Sequence, residues 1–179
     1  GNANAGTGQA GLAAAKTTCA ELARLTGVAA NQVLPFSTGV IGEPLPLVES
    51  LLPALPAALA NLNSQGWAEA AEGIMTTDIA PKGATGSCTI NGQEVKISGI
   101  AKGSGMIQPN MATMLAYIAT DAKIEASLLQ EILSELNELT FNRVTVDGDT
   151  STNDSCILIA TGTSAEITPA SEAFASFKA

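Results

Sequence analysis

From Thr7 to Leu25 the apolar positions Leu12, Ala15, Cys19, Leu22 and Leu25 return at helical spacing, and Gly27 follows as a C-terminal cap. A helix is predicted there. Asn31 to Phe36 (NQVLPF) is a short apolar run ending in Ser37-Thr38-Gly39, which predicts a strand that delivers a loop. Val48, Leu51, Leu52, Leu55, Leu59 and Leu62 keep a helical period, but Pro53 and Pro56 cannot sit quietly inside one helix. Two shorter helices with a break near Pro53 are predicted. Ala68 to Ile74 extends the helical region, and Met75 to Asp78 reads as the entry to a loop or a buried strand.

The second half reads more clearly. Cys88 to Ile90 and Glu94 to Ile100 flank Asn91-Gly92, a pair that tolerates positive φ and suits a type I′ hairpin turn. Lys102 to Gly105 (KGSG) interrupts the pattern, and Met111 to Thr120 is a continuous apolar run suited to a buried strand. Ile124, Leu128, Leu129, Ile132, Leu133, Leu136 and Leu139 define an amphipathic helix that covers a sheet face, with Ser127 and Gln130 as its capping box. Arg143 to Val146 and Cys156 to Thr161 read as strands on either side of the polar loop Asp147 to Asp154 (DGDTSTND). These elements predict a layered α/β fold, with helices packed on mixed sheets.

Composition narrows the function. At 179 residues, with 46% hydrophobic and 14% charged, the chain suits one compact domain or two small ones. Aromatics are only 3%, so the core must be aliphatic. Eight basic against 17 acidic residues leave a net charge of −9, which repels a phosphate backbone and argues against a nucleic-acid partner. Cys19, Cys88 and Cys156 lack CxxC spacing, so neither a disulfide framework nor a zinc cluster is indicated, and a reducing cytoplasm fits. Gly1 to Ala10 has no basic n-region and no apolar run approaches a membrane span, so a soluble protein with no membrane partner is expected.

The chain has no histidine, so its chemistry must do without the His base of Ser-His-Asp and Cys-His sites. Asp147, Asp149 and Ser151 resemble the start of a calcium loop, but its sixth position is Thr152 rather than Gly and its twelfth is Leu158 rather than Glu. A turn rich in side-chain to backbone hydrogen bonds is the better reading. Lys102-Gly103-Ser104-Gly105 lacks the order of a phosphate loop, though a lysine beside backbone amides suits a carboxylate ligand. By composition Ser37-Thr38-Gly39 is a turn, and a Thr such as Thr113 in an apolar run is ordinarily structural.

The run Lys102 to Tyr117 (KGSGMIQPNMATMLAY) closely resembles the self-cleavage segment of the ornithine acetyltransferase family, the bifunctional glutamate N-acetyltransferases of arginine biosynthesis. Gly1 to Gly8 (GNANAGTG), Ser37 to Glu43 (STGVIGE), Met75 to Asp78 (MTTD) and Asp147 to Asp154 match it in the same order. The resemblance implies a DmpA/ornithine-acetyltransferase-like self-processing fold, cut between Ala112 and Thr113. An α-chain segment, 1–112, and a β-chain segment, 113–179, would then share one core and associate as a heterodimer or a heterotetramer. It further implies Thr113 as nucleophile, Thr38 and Gly39 as the oxyanion-stabilising pair, and Thr76, Lys102 and Thr113 as substrate contacts. The implied reaction moves an acetyl group from N-acetylornithine to glutamate without a cofactor, and some members also use acetyl-CoA as donor. Family chains extend further at both ends, so a glutamate and C-terminal polar residues that complete the pocket are expected beyond Ala179. The related alternatives are a self-processing aminopeptidase that releases its acyl group to water and a non-enzymatic fragment or binding domain.

Overall fold

The computed structural model describes residues 1–108, 114–171 and 174–178. They form two compact units, Gly1–Gly66 and Trp67–Ala179.

In the first unit the predicted helix forms as α1 (Gly8–Thr26), closed by the N–H of Gly27, which donates to the Ala23 carbonyl at 2.8 Å. The strand expected over Asn31 to Phe36 is not formed. Ala30–Gln32 is a 3₁₀ turn, and Val33 is extended (φ −98, ψ 124) without a ladder among the described residues. Pro35 has no N–H to donate and Leu34 is 63% exposed, so this run lacks both the bonds and the burial of a strand. The break expected near Pro53 is not present: Leu51 and Leu52 both keep right-handed helical φ and ψ, and Pro56 sits inside the helix that follows, giving up only the N–H bond of its own position. A wide turn over Leu47–Leu51, with the Leu51 N–H reaching back to the Pro46 carbonyl at 3.0 Å, leads into α2 (Leu52–Ala60). Pro53 falls in the first turn of α2, where its missing N–H is not needed.

The second unit starts with α3 (Trp67–Gly73), followed by the loop at Met75 to Asp78. Its main sheet contains β1 (Lys82–Ile90), β2 (Gln93–Lys102), β3 (Leu115–Thr120) and β5 (Ser155–Ala160) in the order β1-β2-β3-β5. The first two pairings are antiparallel and β3–β5 is parallel, which makes the sheet mixed. The hairpin turn has Asn91 at φ 51 and Gly92 at φ 78, as a type I′ turn requires. Strand β1 begins at Lys82, earlier than predicted. Gly83, Gly86 and Ser87 have little strand preference of their own, but the register runs unbroken from Lys82↔Ala101 to Ile90↔Gln93.

Parallel neighbours need a crossover, and here it runs through β4 (Lys123–Ile124) and α4 (Ala126–Leu139). Ile124, expected in the helix, belongs to β4, which pairs with β6 (Glu166–Ile167). The expected Ser127–Gln130 capping box is absent. Glu125 caps α4 instead, its carboxylate accepting the N–H groups of Ser127 at 2.8 Å and Leu128 at 3.4 Å. A charged acceptor at the positive end of the helix outcompetes a hydroxyl. Gln130 Nε2 donates to Ser134 Oγ at 3.2 Å instead.

The strand expected over Arg143 to Val146 is also not formed. Phe141–Arg143 is a 3₁₀ turn in which Arg143 Nε donates to the Glu138 carbonyl at 3.1 Å, and Val146 makes an isolated bridge to Ile107. A short helix, α5 (Phe174–Lys178), follows β6. Ile90, Val95, Ala122, Ala165 and Ile167 form a buried cluster, with Phe174 and Phe177 packed against it. The fully buried side chains are aliphatic, as the composition predicts.

Candidate functional site

Asp78 organises the loop between α3 and β1. Its side chain is 1% exposed and accepts three donors: the Lys82 ammonium, the Gly103 N–H at 2.8 Å and the Thr76 N–H at 3.4 Å. Burial alone raises the pKa of this carboxyl, but the Lys82, Gly103 and Thr76 bonds outweigh it and hold it below the usual carboxylate range. The loop carrying Thr76 is thereby fastened to the end of β2, where Lys102 sits. The Gly103 amide, next to Lys102, is committed to Asp78.

Lys102 is 7% exposed. Burial pushes its ammonium below the usual lysine range, against the opposing pull of the Asp78 and Asp154 carboxylates. A cation kept this dry is stabilised by any further anion that reaches it. Cys156 lies nearby in sequence on β5, but burial pushes its thiol up to about 11, partly offset by a bond from Asn137, so it is no thiolate at neutral pH.

Thr38 and Gly39 lie in the first unit, where the segments 1–5 and 39–42 run side by side. The Ala3 N–H donates to the Val40 carbonyl at 2.9 Å, the Val40 N–H to the Gly1 carbonyl at 2.9 Å, and the Gly42 N–H to the Ala5 carbonyl at 2.8 Å. Gly39 has φ 126, and a Cβ there would stand 1.9 Å from the Gly1 carbonyl oxygen. Only glycine fits this position. Among the described residues neither the Gly39 amide nor the Thr38 hydroxyl is engaged in a hydrogen bond.

Ala112 and Thr113 lie outside the described residues, and so does the bond proposed to be cut. The chain on either side is well anchored. Before it, Ile107 exchanges two backbone bonds with Val146, at 2.8 and 2.7 Å, and the Met106 N–H donates to Asp147 Oδ2 at 3.0 Å. After it, the Met114 N–H donates to Asp154 Oδ1 at 2.8 Å, while the Ser155 N–H donates to the Met114 carbonyl at 2.9 Å.

Thr76 and Lys102 are thus brought together through Asp78, and Thr38 and Gly39 are presented by the glycine turn beside the N-terminal segment. Asp78 and Asp154 are the polar residues whose organising part the sequence reading missed. Each belongs to a motif stretch, but a carboxylate whose partners are backbone amides far along the chain leaves no periodic signal. A cavity of about 600 Å³ between the main sheet and α4 is lined by Ile97, Ile118, Ile132, Leu133, Leu136 and Leu158 among others. None of the expected site residues lines it. Among the described residues no helix is long and apolar enough to cross a membrane, and no group of three His, Cys, Asp or Glu side chains is placed to hold a metal ion.

A mixed sheet crossed by α4, with polar loops gathered at the ends of β2 and β5, defines a layered α/β protein. The ArgJ family model matches residues 1–179, and the chain belongs to that family. It is 62% identical over 162 residues to the arginine biosynthesis bifunctional protein ArgJ of Pseudomonas syringae pv. tomato, covering 90% of this chain and 40% of the relative. The Pseudomonas fluorescens protein of the same name is 60% identical over 165 residues, covering 92% of this chain and 40% of that relative. The chain therefore spans about 40% of the length of these relatives. The crystal structure of arginine biosynthesis bifunctional protein ArgJ from Bacillus halodurans matches with a TM-score of 0.53 at 38% identity, covering 62% of this chain and 57% of the other. That likeness bears out the fold class implied by the resemblance.

Proposed function

We propose that this chain carries the nucleophile and part of the substrate pocket of an acetyltransferase of arginine biosynthesis, which moves the acetyl group of N-acetylornithine onto glutamate. The peptide bond between Ala112 and Thr113 breaks first: the Thr113 hydroxyl attacks the Ala112 carbonyl, and water resolves the resulting ester. The new α-amine of Thr113, with an ordinary pKa near 8, is then the base beside the nucleophile in a chain without histidine. Thr113 Oγ attacks the acetyl carbonyl, ornithine leaves, and the amine of glutamate takes the acetyl group from the acetyl-enzyme. The Gly39 amide and the Thr38 hydroxyl stabilise the oxyanion, a contribution of about 3 kcal/mol per donor. Lys102 pairs with the α-carboxylate common to both substrates and Thr76 positions it.

The observation that carries this reading is the buried Lys102 at the end of β2, whose neighbour Gly103 shares the Asp78 carboxylate with Thr76. The names of the 60–62% identical relatives support the pathway. The two cleavage products stay associated, as a heterotetramer in the cytoplasm, and acetyl-CoA is a second acetyl donor to be tested in the same assay.

The test uses this chain in place of the matching segment of the Pseudomonas syringae relative. Ornithine release is followed with and without glutamate, and denaturing mass spectrometry with N-terminal sequencing locates the cut. Cleavage before Thr113 and acetylglutamate formation are expected, with Thr113→Ala left whole and inactive and Thr113→Ser still cut. Acetate accumulating at a rate indifferent to glutamate would make the protein a hydrolase of the aminopeptidase kind. A wild-type chain that stays whole would make it a binding domain.

A further inference from the structure

Two lysines stand near one buried carboxylate in the second unit, and they are used unequally. Lys82 opens β1 opposite Ala101, the residue before Lys102 on β2. Asp78 is fully engaged: its side chain is 1% exposed and accepts the Thr76 N–H at 3.4 Å, the Gly103 N–H at 2.8 Å and the Lys82 ammonium, which is the charged donor of the three. Lys102 is buried more deeply than Lys82, yet among the described residues it makes neither a hydrogen bond nor an ion pair. Removing the Lys82 charge would leave a buried carboxylate without its cation. The cation still within reach of its field would be Lys102, whose ammonium already feels Asp78 and Asp154.

We propose that Lys82 is a positioning residue for substrate binding: by neutralising Asp78 it reserves the Lys102 ammonium for the carboxylate of an amino-acid substrate. The inference rests on the reading given above, in which Lys102 pairs with that carboxylate. Held by Lys82, Asp78 neither draws Lys102 into an internal ion pair nor repels an arriving carboxylate. The Lys82 side chain is 50% exposed and keeps part of its hydration, so it serves as a standing counter-ion at little desolvation cost. Lys102 has lost that hydration, and an anion from outside restores what burial removed.

The test measures KM and kcat for N-acetylornithine and glutamate in the same full-length context, for three variants. Lys82→Met keeps the apolar stem and removes the charge. Lys82→Arg keeps the charge, and Lys82→Met combined with Asp78→Asn removes both charges. Lys82→Met is expected to raise KM for both substrates about tenfold while kcat stays within about twofold, the size of an ordinary coupling between neighbouring groups. Lys82→Arg should stay close to wild type. The double variant should recover most of the lost affinity, because the competing carboxylate has gone. A merely structural pair would give no such rescue, since a loop that has lost both partners is no firmer than one that has lost a single partner. If the double variant fails to unfold cooperatively, the contrast between Lys82→Met and Lys82→Arg decides, and equal KM losses in the two overturn the inference. Wild-type KM values in Lys82→Met overturn it alone, as does a folded double variant that binds no better than Lys82→Met. A wild-type protein that forms no acetylglutamate overturns the substrate reading and this inference with it.

Discussion

The Asp78 carboxylate, 1% exposed, accepts the amide of Gly103 at 2.8 Å across a separation of 25 residues. Asp78→Asn should therefore destabilise the second unit by about 2 kcal/mol at neutral pH, the usual worth of a bond to a buried charge. The sign of the pH dependence follows from a folded-state pKa held below the unfolded one. The contribution is full above the unfolded value near 4 and disappears as the pH falls through the folded value. Urea denaturation at steps from pH 7 to pH 3 should show a wild-type loss of stability that Asp78→Asn lacks. Parallel curves for the two proteins would remove Asp78 from this role.

Lys102→Ala should raise KM for both amino-acid substrates about ten- to a hundredfold, the equivalent of roughly 1.5 to 3 kcal/mol for a charge-assisted contact. Because burial holds its ammonium below the lysine range, the wild-type KM should climb on the alkaline side at a lower pH than an ordinary lysine allows. Steady-state kinetics from pH 7 to 10 checks both statements. Unchanged KM values in the variant would exclude Lys102 from the pocket.

Gly39→Ala places a Cβ 1.9 Å from the Gly1 carbonyl oxygen at a φ of 126. The N-terminal segment must move away, and a loss of about 2 to 3 kcal/mol in the first unit is expected. Chemical denaturation followed through α1 by far-UV circular dichroism measures it. Wild-type stability in the variant would mean that the turn is not held as described.

Two leucine-type positions of the predicted helical stripe should separate sharply. Ile132 on α4 is 1% exposed and Leu139 at its end is 54% exposed. Ile132→Ala should cost about 2 to 5 kcal/mol, and Leu139→Ala about 0.5 kcal/mol or less. Comparable losses at the two positions would mean that α4 is rotated on the sheet.

The sequence carried the elements whose signal is local. α1 with Gly27, the Asn91-Gly92 hairpin and α4 each announce themselves within a few residues, by period or by a turn dipeptide. What it hid depended on distant partners. Among the described residues NQVLPF has strand composition but meets no strand, and the only residue bridged to Arg143 to Val146 is Ile107. Gly83 to Ser87 has poor strand composition yet is zipped into β1 by β2. Of the candidate site, the matched motif stretches pointed to Thr76, Lys102, Thr38 and Gly39, while Asp78 and Asp154 became visible only once the amides they hold were placed.

In the main sheet, β2 ends at Lys102 before the Ala112–Thr113 bond and β3 begins at Leu115 after it, and the two pair from Ile97↔Thr120 to Lys102↔Leu115. Were that bond cut, as proposed, an interior ladder would still span the same gap. Polypeptides ending at Ala112 and starting at Thr113 would behave as a split protein whose halves complement one another. Their joining surface would be the middle of a β-sheet, so separating them would amount to unfolding them.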